Sequence, residues 1–287
     1  LADTPAAAAQ GAMPPAGDAA ATLLVSLAAV GTCVLAIWLV RRLTRPQKLS
    51  LRRSPGRPNH LSAVHVVGVF ALWVGAQWAL ISLLHRLFDA DSFRPEVLTA
   101  VGAATVMLLA SLAVAGRTFR GGIARGLGMH LRHWTWDVAR GVIAFFAVFP
   151  LTFATLWITQ IIVQHVAAGQ TPDQHRMLLA MRELAGPWRW LAVAMAVVIV
   201  PVAEETFFRG LVQSMFRRYL VSPWLAILAT SLLFAFAHAN IQHVPALFVL
   251  SVALGYNYER CGRLVPAILL HALFNATFTA ITLWPAS

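Results

Sequence analysis

Ionisable and amide side chains inside apolar stretches mark where this 287-residue chain could do chemistry. A charge at the centre of a membrane helix costs about 2.5–3.5 kcal/mol on insertion scales, so such a group indicates a functional site by default. Three apolar stretches in the second half of the chain contain these groups. In chain order they are Glu204, Glu205, Arg209, His238, His271 and Asn275.

Helical spacing assigns these side chains to different tasks. Glu205 and Arg209 are four residues apart, so they share a helix face and can form an ion pair. Glu204 lies one residue earlier and is turned by about 100°, which leaves it without that partner. A desolvated carboxyl group without a cation can act as a general base or acid near neutral pH. His271 and Asn275 also have the four-residue spacing and lie side by side.

If three helices bring these groups together, a carboxylate, two imidazoles and an amide converge. Such a set can activate water and stabilise an oxyanion, which is what amide hydrolysis requires. Carboxylate and imidazole can also ligate zinc, and a metal ion would then be held by Glu204, His238 and His271. The HExxH zinc signature is absent, and Asn275 is a better oxyanion donor than zinc ligand. We therefore favour water activation by Glu204 and His238 without a cofactor, with zinc as the alternative.

Three motifs in this region carry a family resemblance. The run Glu204–Arg209 resembles the EExxxR motif of the CPBP family, which contains CAAX proteases and bacteriocin-processing proteins. Residues 234–238 are similar to its FxxxH motif, and residues 271–275 to its HxxxN motif. The stretch 255–275 also resembles the family's approach to that last motif. The resemblance covers about residues 188–280, and residues 1–185 match only in being hydrophobic.

The resemblance implies a glutamate-dependent endopeptidase, often labelled a metalloendopeptidase, that works inside the bilayer on a membrane-associated or prenylated-type substrate. It implies that Glu204 is the base and that His238 helps to position water. His271 and Asn275 would stabilise the oxyanion, with Glu205 and Arg209 in support. Members of the same family also act as non-proteolytic scaffolds or confer bacteriocin immunity, and this is the main alternative.

The elements that must position these residues are membrane helices. Hydrophobic residues make up 59% of the chain and charged residues 11%, against about 25% charged in soluble domains. We predict an all-α polytopic transmembrane bundle in a multi-pass protein of the inner or plasma membrane. Its eight candidate spans are 22–40, 63–84, 97–115, 141–163, 190–215, 223–239, 244–258 and 265–284.

The distribution of Lys and Arg predicts the orientation of the helices in the membrane and the classes of molecule that the protein binds. Most Lys and Arg residues follow the odd-numbered spans, which places those connections in the cytoplasm and both termini outside. The net charge of +11 therefore reflects topology rather than nucleic-acid binding, which we exclude. The expected partners are membrane lipid and a peptide or protein substrate.

The chain divides into three predicted parts. Residues 1–21 form a disordered Ala/Pro-rich tail, residues 22–187 form the N-terminal transmembrane helices, and residues 188–284 form the catalytic core. The Ala- and Arg-rich composition indicates a bacterial source. Two alternatives for the buried charges are a purely structural ion pair and a proton-coupled carrier, although the inverted repeat expected of a carrier is not visible.

Overall fold

The structure is a computed structural model that describes residues 18–45, 50–51, 54, 57–88, 93–130, 133–166, 181–238 and 240–283. Its secondary structure in these residues is helical, apart from one isolated β-bridge between Asn59 and Phe119. In chain order the helices are α1 (Asp18–Thr44), α2 (Ala63–Leu84), α3 (Arg94–Thr118), α4 (Gly122–Gly126), α5 (Trp134–Val166), α6 (Gly186–Tyr219), α7 (Pro223–Ala237), α8 (Val244–Cys261) and α9 (Val265–Leu283). The predicted tail lies outside the described residues up to residue 17, and α1 begins at Asp18.

Six of these helices (α1, α2, α3, α5, α6 and α9) are long and apolar enough to cross a membrane. Helices can do so because each backbone polar group is paired within the segment. The predicted all-α polytopic bundle is therefore confirmed, and the protein is a multi-pass membrane protein. The orientation of its termini stays a prediction.

The two short predicted spans are helices that differ from the other six. Helix α7 has 15 residues, or about 22 Å at 1.5 Å per residue, which is less than the ~30 Å of a hydrocarbon core. Helix α8 has 18 residues and is more polar. The turn between them includes residues 240–243. Because irregular backbone at membrane depth must be buried in protein or line a wet cavity, this short pair is suited to the edge of a site.

Helix α5 packs against α1, α8 and α9. The contact with α1 depends on Gly31, since a Cβ there would lie 2.3 Å from the carbonyl oxygen of Phe146 and 2.7 Å from Cδ of Pro150. Only glycine permits backbones to approach this closely. Helices α1 and α5 are thus a closely packed pair.

Helix α6 is the centre of the bundle and packs against α3, α7, α8 and α9. Residues Met195–Ile199 and Thr206–Gln213 of α6 are π-helical, and all eight residues of the second segment are buried. π-Helical turns are rare and occur often at functional sites. The first of the site residues predicted from the sequence, Glu204 and Glu205, lie directly before this second segment.

A buried ion pair between Arg263 and Asp137, here called a polar clamp, connects helix ends. Arg263, between α8 and α9, donates from Nε to both oxygens of Asp137 in the first turn of α5, at 2.6 and 2.7 Å. Asp137 is fully buried. Gly262 ends α8 with φ +67°, a left-handed conformation that glycine adopts without strain, and so turns the chain towards this contact.

We expect the substitution Asp137→Asn to lower the free energy of unfolding by about 3 kcal/mol, because it leaves the buried guanidinium of Arg263 without its counter-charge. Unfolding of the purified protein in mild detergent, followed by tryptophan fluorescence, measures this change. Glu183→Gln, which removes an exposed carboxylate, is the matched control. Equal stability of the two variants would contradict the assigned clamp.

Candidate functional site

Glu204 lies between two histidines that come from two other helices. Its Oε1 is 3.8 Å from Nε2 of His238, and its Oε2 is 3.8 Å from Nε2 of His271. These distances exceed a direct hydrogen bond. Within the described part of the chain, Glu204 Oε2 has no hydrogen-bond partner. The arrangement therefore leaves unused acceptor capacity on a carboxylate that lies between two imidazoles.

Each histidine is oriented through its other ring nitrogen. Nδ1 of His238 lies 2.8 Å from the carbonyl oxygen of Phe234, one turn earlier in α7. Nδ1 of His271 lies 3.0 Å from Oε1 of Glu205. Since both acceptors are oxygens, Nδ1 carries the proton in each ring, and Nε2 is directed towards Glu204.

Glu205 and Arg209 form the ion pair predicted from their spacing. Arg209 Nη1 donates to Glu205 Oε1 at 2.7 Å, and neither side chain is exposed. Arg209 Nη2 also donates to Oγ of Ser251 in α8 at 2.8 Å. Since Glu205 Oε1 contacts His271 of α9 as well, one buried network connects α6, α8 and α9.

Sequence reasoning missed Ser251. It is fully buried in α8, and its hydroxyl satisfies the second arm of the guanidinium. The only available signal was a polar residue inside the predicted span 244–258, and serines often occupy such positions merely to permit close helix packing.

Phe234 provides the apolar floor of the site. Its buried ring lies under the guanidinium of Arg209, with 4.6 Å between Cζ and the ring centroid. The rings of His238 and His271 lie 4.6 and 5.8 Å from the same ring, centroid to centroid. The first residue of the FxxxH pattern thus packs against three of the polar residues.

Asn275 is positioned by the first π-helical segment of α6. Its Nδ2 donates to the carbonyl oxygen of Ala196 at 2.9 Å. An amide nitrogen carries two N–H groups, so one of them is free of this bond. The contact orients the amide from α9, and the oxyanion role of Asn275 stays a prediction.

Both histidines lie near the same carboxylate. If each predicted span were a straight helix with a rise of about 1.5 Å per residue, the two histidines would differ in membrane depth by several ångströms. Helix α7 ends at Ala237, with His238 as its C-terminal cap, while His271 lies in the second turn of α9. Helix α7 is short and α6 contains two π-helical segments, and both imidazole Nε2 atoms lie 3.8 Å from the Glu204 carboxylate. Counting from straight helices does not include either feature.

The donor set of Glu204, His238 and His271 has the chemistry of a catalytic zinc site, in which two imidazoles and one carboxylate leave a position for water. Bonded Nδ1 atoms are also typical of metal-ligating histidines. Among the described residues, however, no group of three His, Cys, Asp or Glu side chains has the spacing of a metal site. The residue types fit zinc, but the side chains as they stand are not arranged as a metal site.

Comparisons with known proteins agree with the motifs. A family model described as "Type II CAAX prenyl endopeptidase Rce1-like" matches residues 186–277. An Escherichia coli protein described as an uncharacterized 24.3 kDa protein is 38% identical over 78 residues, which are 26% of this chain and 36% of that protein.

The UPF0177 protein YaiF of Lactococcus lactis is 28% identical over 136 residues, which are 45% of this chain and 59% of that protein. The chain therefore spans between about a third and three-fifths of the curated relatives that it matches. No solved structure matches it significantly. The family recognised from the three motifs is confirmed over residues 186–277, which match the Rce1-like CAAX prenyl endopeptidases.

Proposed function

We propose that this protein is an intramembrane endopeptidase that hydrolyses a peptide bond of a membrane-associated or prenylated-type substrate. The observation that carries the proposal is the position of Glu204, whose two carboxylate oxygens each lie 3.8 Å from an imidazole Nε2. The match of this region to CAAX prenyl endopeptidases supports the same reaction class.

In the proposed mechanism Glu204 is the general base. A water between Glu204 and His238 gives a proton to the carboxylate and attacks the carbonyl carbon of the scissile bond. His238 accepts a hydrogen bond from this water through Nε2 and so orients its lone pair. The protonated Glu204 then donates to the leaving amine, which completes hydrolysis with one water consumed.

His271 and Asn275 stabilise the oxyanion in this proposal. Because Nδ1 of His271 contacts Glu205, its Nε2 donates to the oxyanion only when the ring is an imidazolium. At that stage Glu204 holds the proton of the water, so the oxyanion and Glu205 supply two negative charges, and Arg209 and the imidazolium of His271 supply two positive ones. The second N–H of Asn275, which the Ala196 contact does not use, is the other donor.

Glu205 and Arg209 act as positioning residues. Their ion pair holds α6 against the hydroxyl of Ser251 and the ring of His271. In water-excluded surroundings a charge needs such pairing to be tolerated. A proton-accepting carboxylate and a structural carboxylate thus occupy adjacent positions with different surroundings.

We propose catalysis without a cofactor, and zinc is the competing proposal. If zinc binds, Glu204, His238 and His271 would hold it, and the ion would lower the pKa of a bound water and polarise the substrate carbonyl. The remaining residues would keep the same positioning tasks.

We expect Glu204→Gln to reduce cleavage by about 10²- to 10⁴-fold, because it removes the proton acceptor while it preserves shape. New peptide termini in host membranes that express wild type or variant, read by terminus-selective mass spectrometry, measure this and name the substrate. Glu183→Gln is the control and retains the wild-type termini. Identical profiles for wild type and a folded Glu204→Gln variant would favour the scaffold or immunity function.

The adjacent carboxylates should differ in their effect on stability. We expect Glu205→Gln to lower the free energy of unfolding by about 3–5 kcal/mol, since it strands the buried Arg209 charge. Glu204→Gln, which removes no ion pair with a permanent cation, should change it by less than about 1 kcal/mol. Denaturant titration in detergent compares the two. A reversed order would refute the separation of roles.

The cofactor is tested by elemental analysis of purified protein together with chelator treatment. The proposal predicts less than stoichiometric zinc and unchanged cleavage after exposure to chelator. One zinc per chain that is lost in the Glu204→Gln and His238→Ala variants, with activity restored by added zinc, would establish the metal alternative.

A further inference from the structure

A polar cavity of about 310 Å³ lies away from Glu204, where several helix-end segments meet. It is bounded by the segment before α2, the last turns of α6 and the end of α8. The polar side chains that line it are Arg57, Asn59, Ser214, Arg217, Arg218 and Glu259. Because Ala63 begins α2 and Tyr219 ends α6, the cavity is at one membrane face.

The charge of this lining is unbalanced. Glu259 is its single carboxylate and already accepts from two guanidiniums, Arg57 Nη2 and Arg217 Nε, each at 2.6 Å. Arg218 donates from Nη1 to a neutral acceptor, the carbonyl oxygen of Leu61, at 2.8 Å. Three cationic side chains against one anionic side chain leave an excess of two positive charges around the cavity.

Two of the cationic groups, Arg57 and Arg217, are held by the Glu259 carboxylate before any ligand arrives. Arg57 is almost fully buried and lies over the ring of Tyr258, with Cζ 4.0 Å from the centroid. Gln213 Nε2 donates to Glu259 at 3.3 Å, which fixes the shared carboxylate from the α6 side. A site whose groups are already ordered loses less conformational freedom when it binds.

We propose that this cavity binds a phosphate group, presented as the headgroup of an anionic membrane lipid. Guanidinium groups match the geometry and charge of phosphate oxygens. Basic pockets between membrane helices are suited to lipid headgroups, and a location at the ends of α2 and α6 places a headgroup within reach. Free phosphate has the same chemistry and is the other source. The inference is independent of the proposed proteolysis, since it uses none of the residues around Glu204.

The test measures binding of phosphatidylglycerol to the purified full-length protein by native mass spectrometry. Phosphatidylcholine, in which choline cancels the phosphate charge, is the comparison lipid. We expect tighter binding of phosphatidylglycerol, reduced at least about tenfold by Arg217→Gln with Arg218→Gln. The pair Arg217→Lys with Arg218→Lys keeps the charge and should retain most of the binding.

The matched control is Arg120→Gln with Arg125→Gln, which removes two exposed arginines outside the cavity and should leave binding unchanged. Where the double glutamine variant fails to fold, Arg218→Gln alone, which breaks no ion pair, should weaken binding about fivefold. Inorganic phosphate that displaces the lipid would show that free phosphate also fits, and lack of displacement would restrict the site to the lipid. Equal binding of both lipids, unchanged binding in the cavity variants, or an equal loss in the control would overturn the proposal.

Discussion

The buried ion pair between Glu205 and Arg209 is the constraint on which the arrangement of the second half of the chain depends. A guanidinium without exposure to water requires a counter-charge and acceptors for its other N–H groups. The chain supplies them from Glu205 in the same helix and Ser251 in α8. Since Glu205 also contacts His271 of α9, this network restricts the relative positions of three helices.

That position creates a difference between two adjacent carboxylates. Glu205 is fully buried and paired, whereas the Glu204 side chain is 15% exposed and faces two imidazoles. Adjacent residues on a helix point in different directions, so one glutamate can serve the fold while its neighbour serves a reaction. The buried ring of Phe234 lies under the guanidinium of Arg209. An aromatic face attracts a cation and so stabilises this buried charge without a further carboxylate.

Polar interactions elsewhere in the bundle concentrate near helix ends. Asp137 with Arg263 closes the end where α5, α8 and α9 meet, and Glu259 joins the segment before α2 to α6 and α8. Between these clamps the helices pack mainly through apolar contacts. In a bilayer apolar packing fixes the relative orientation of helices only weakly, because lipid is as apolar as the helix surface. The charged ends and the internal network therefore supply the directional contacts.

The sequence by itself determined the fold class and named the residues of the candidate site. Apolar runs of membrane-crossing length predicted the helices, and the run 63–84 coincides with α2. Four-residue spacing predicted the Glu205–Arg209 pair, because that relation is local to one helix. The three motifs identified the family over the region that the comparisons match.

Only the tertiary structure decided how those residues meet. The π-helical segments of α6, the early end of α7, the contact of Asn275 with Ala196 and the part played by Ser251 depend on packing between helices distant in sequence. Hydrophobic periodicity records which residues are apolar, but it carries no information on helix depth or on which carbonyl a side chain reaches. Those choices follow from satisfying every buried polar group at once, which is a property of the assembled bundle.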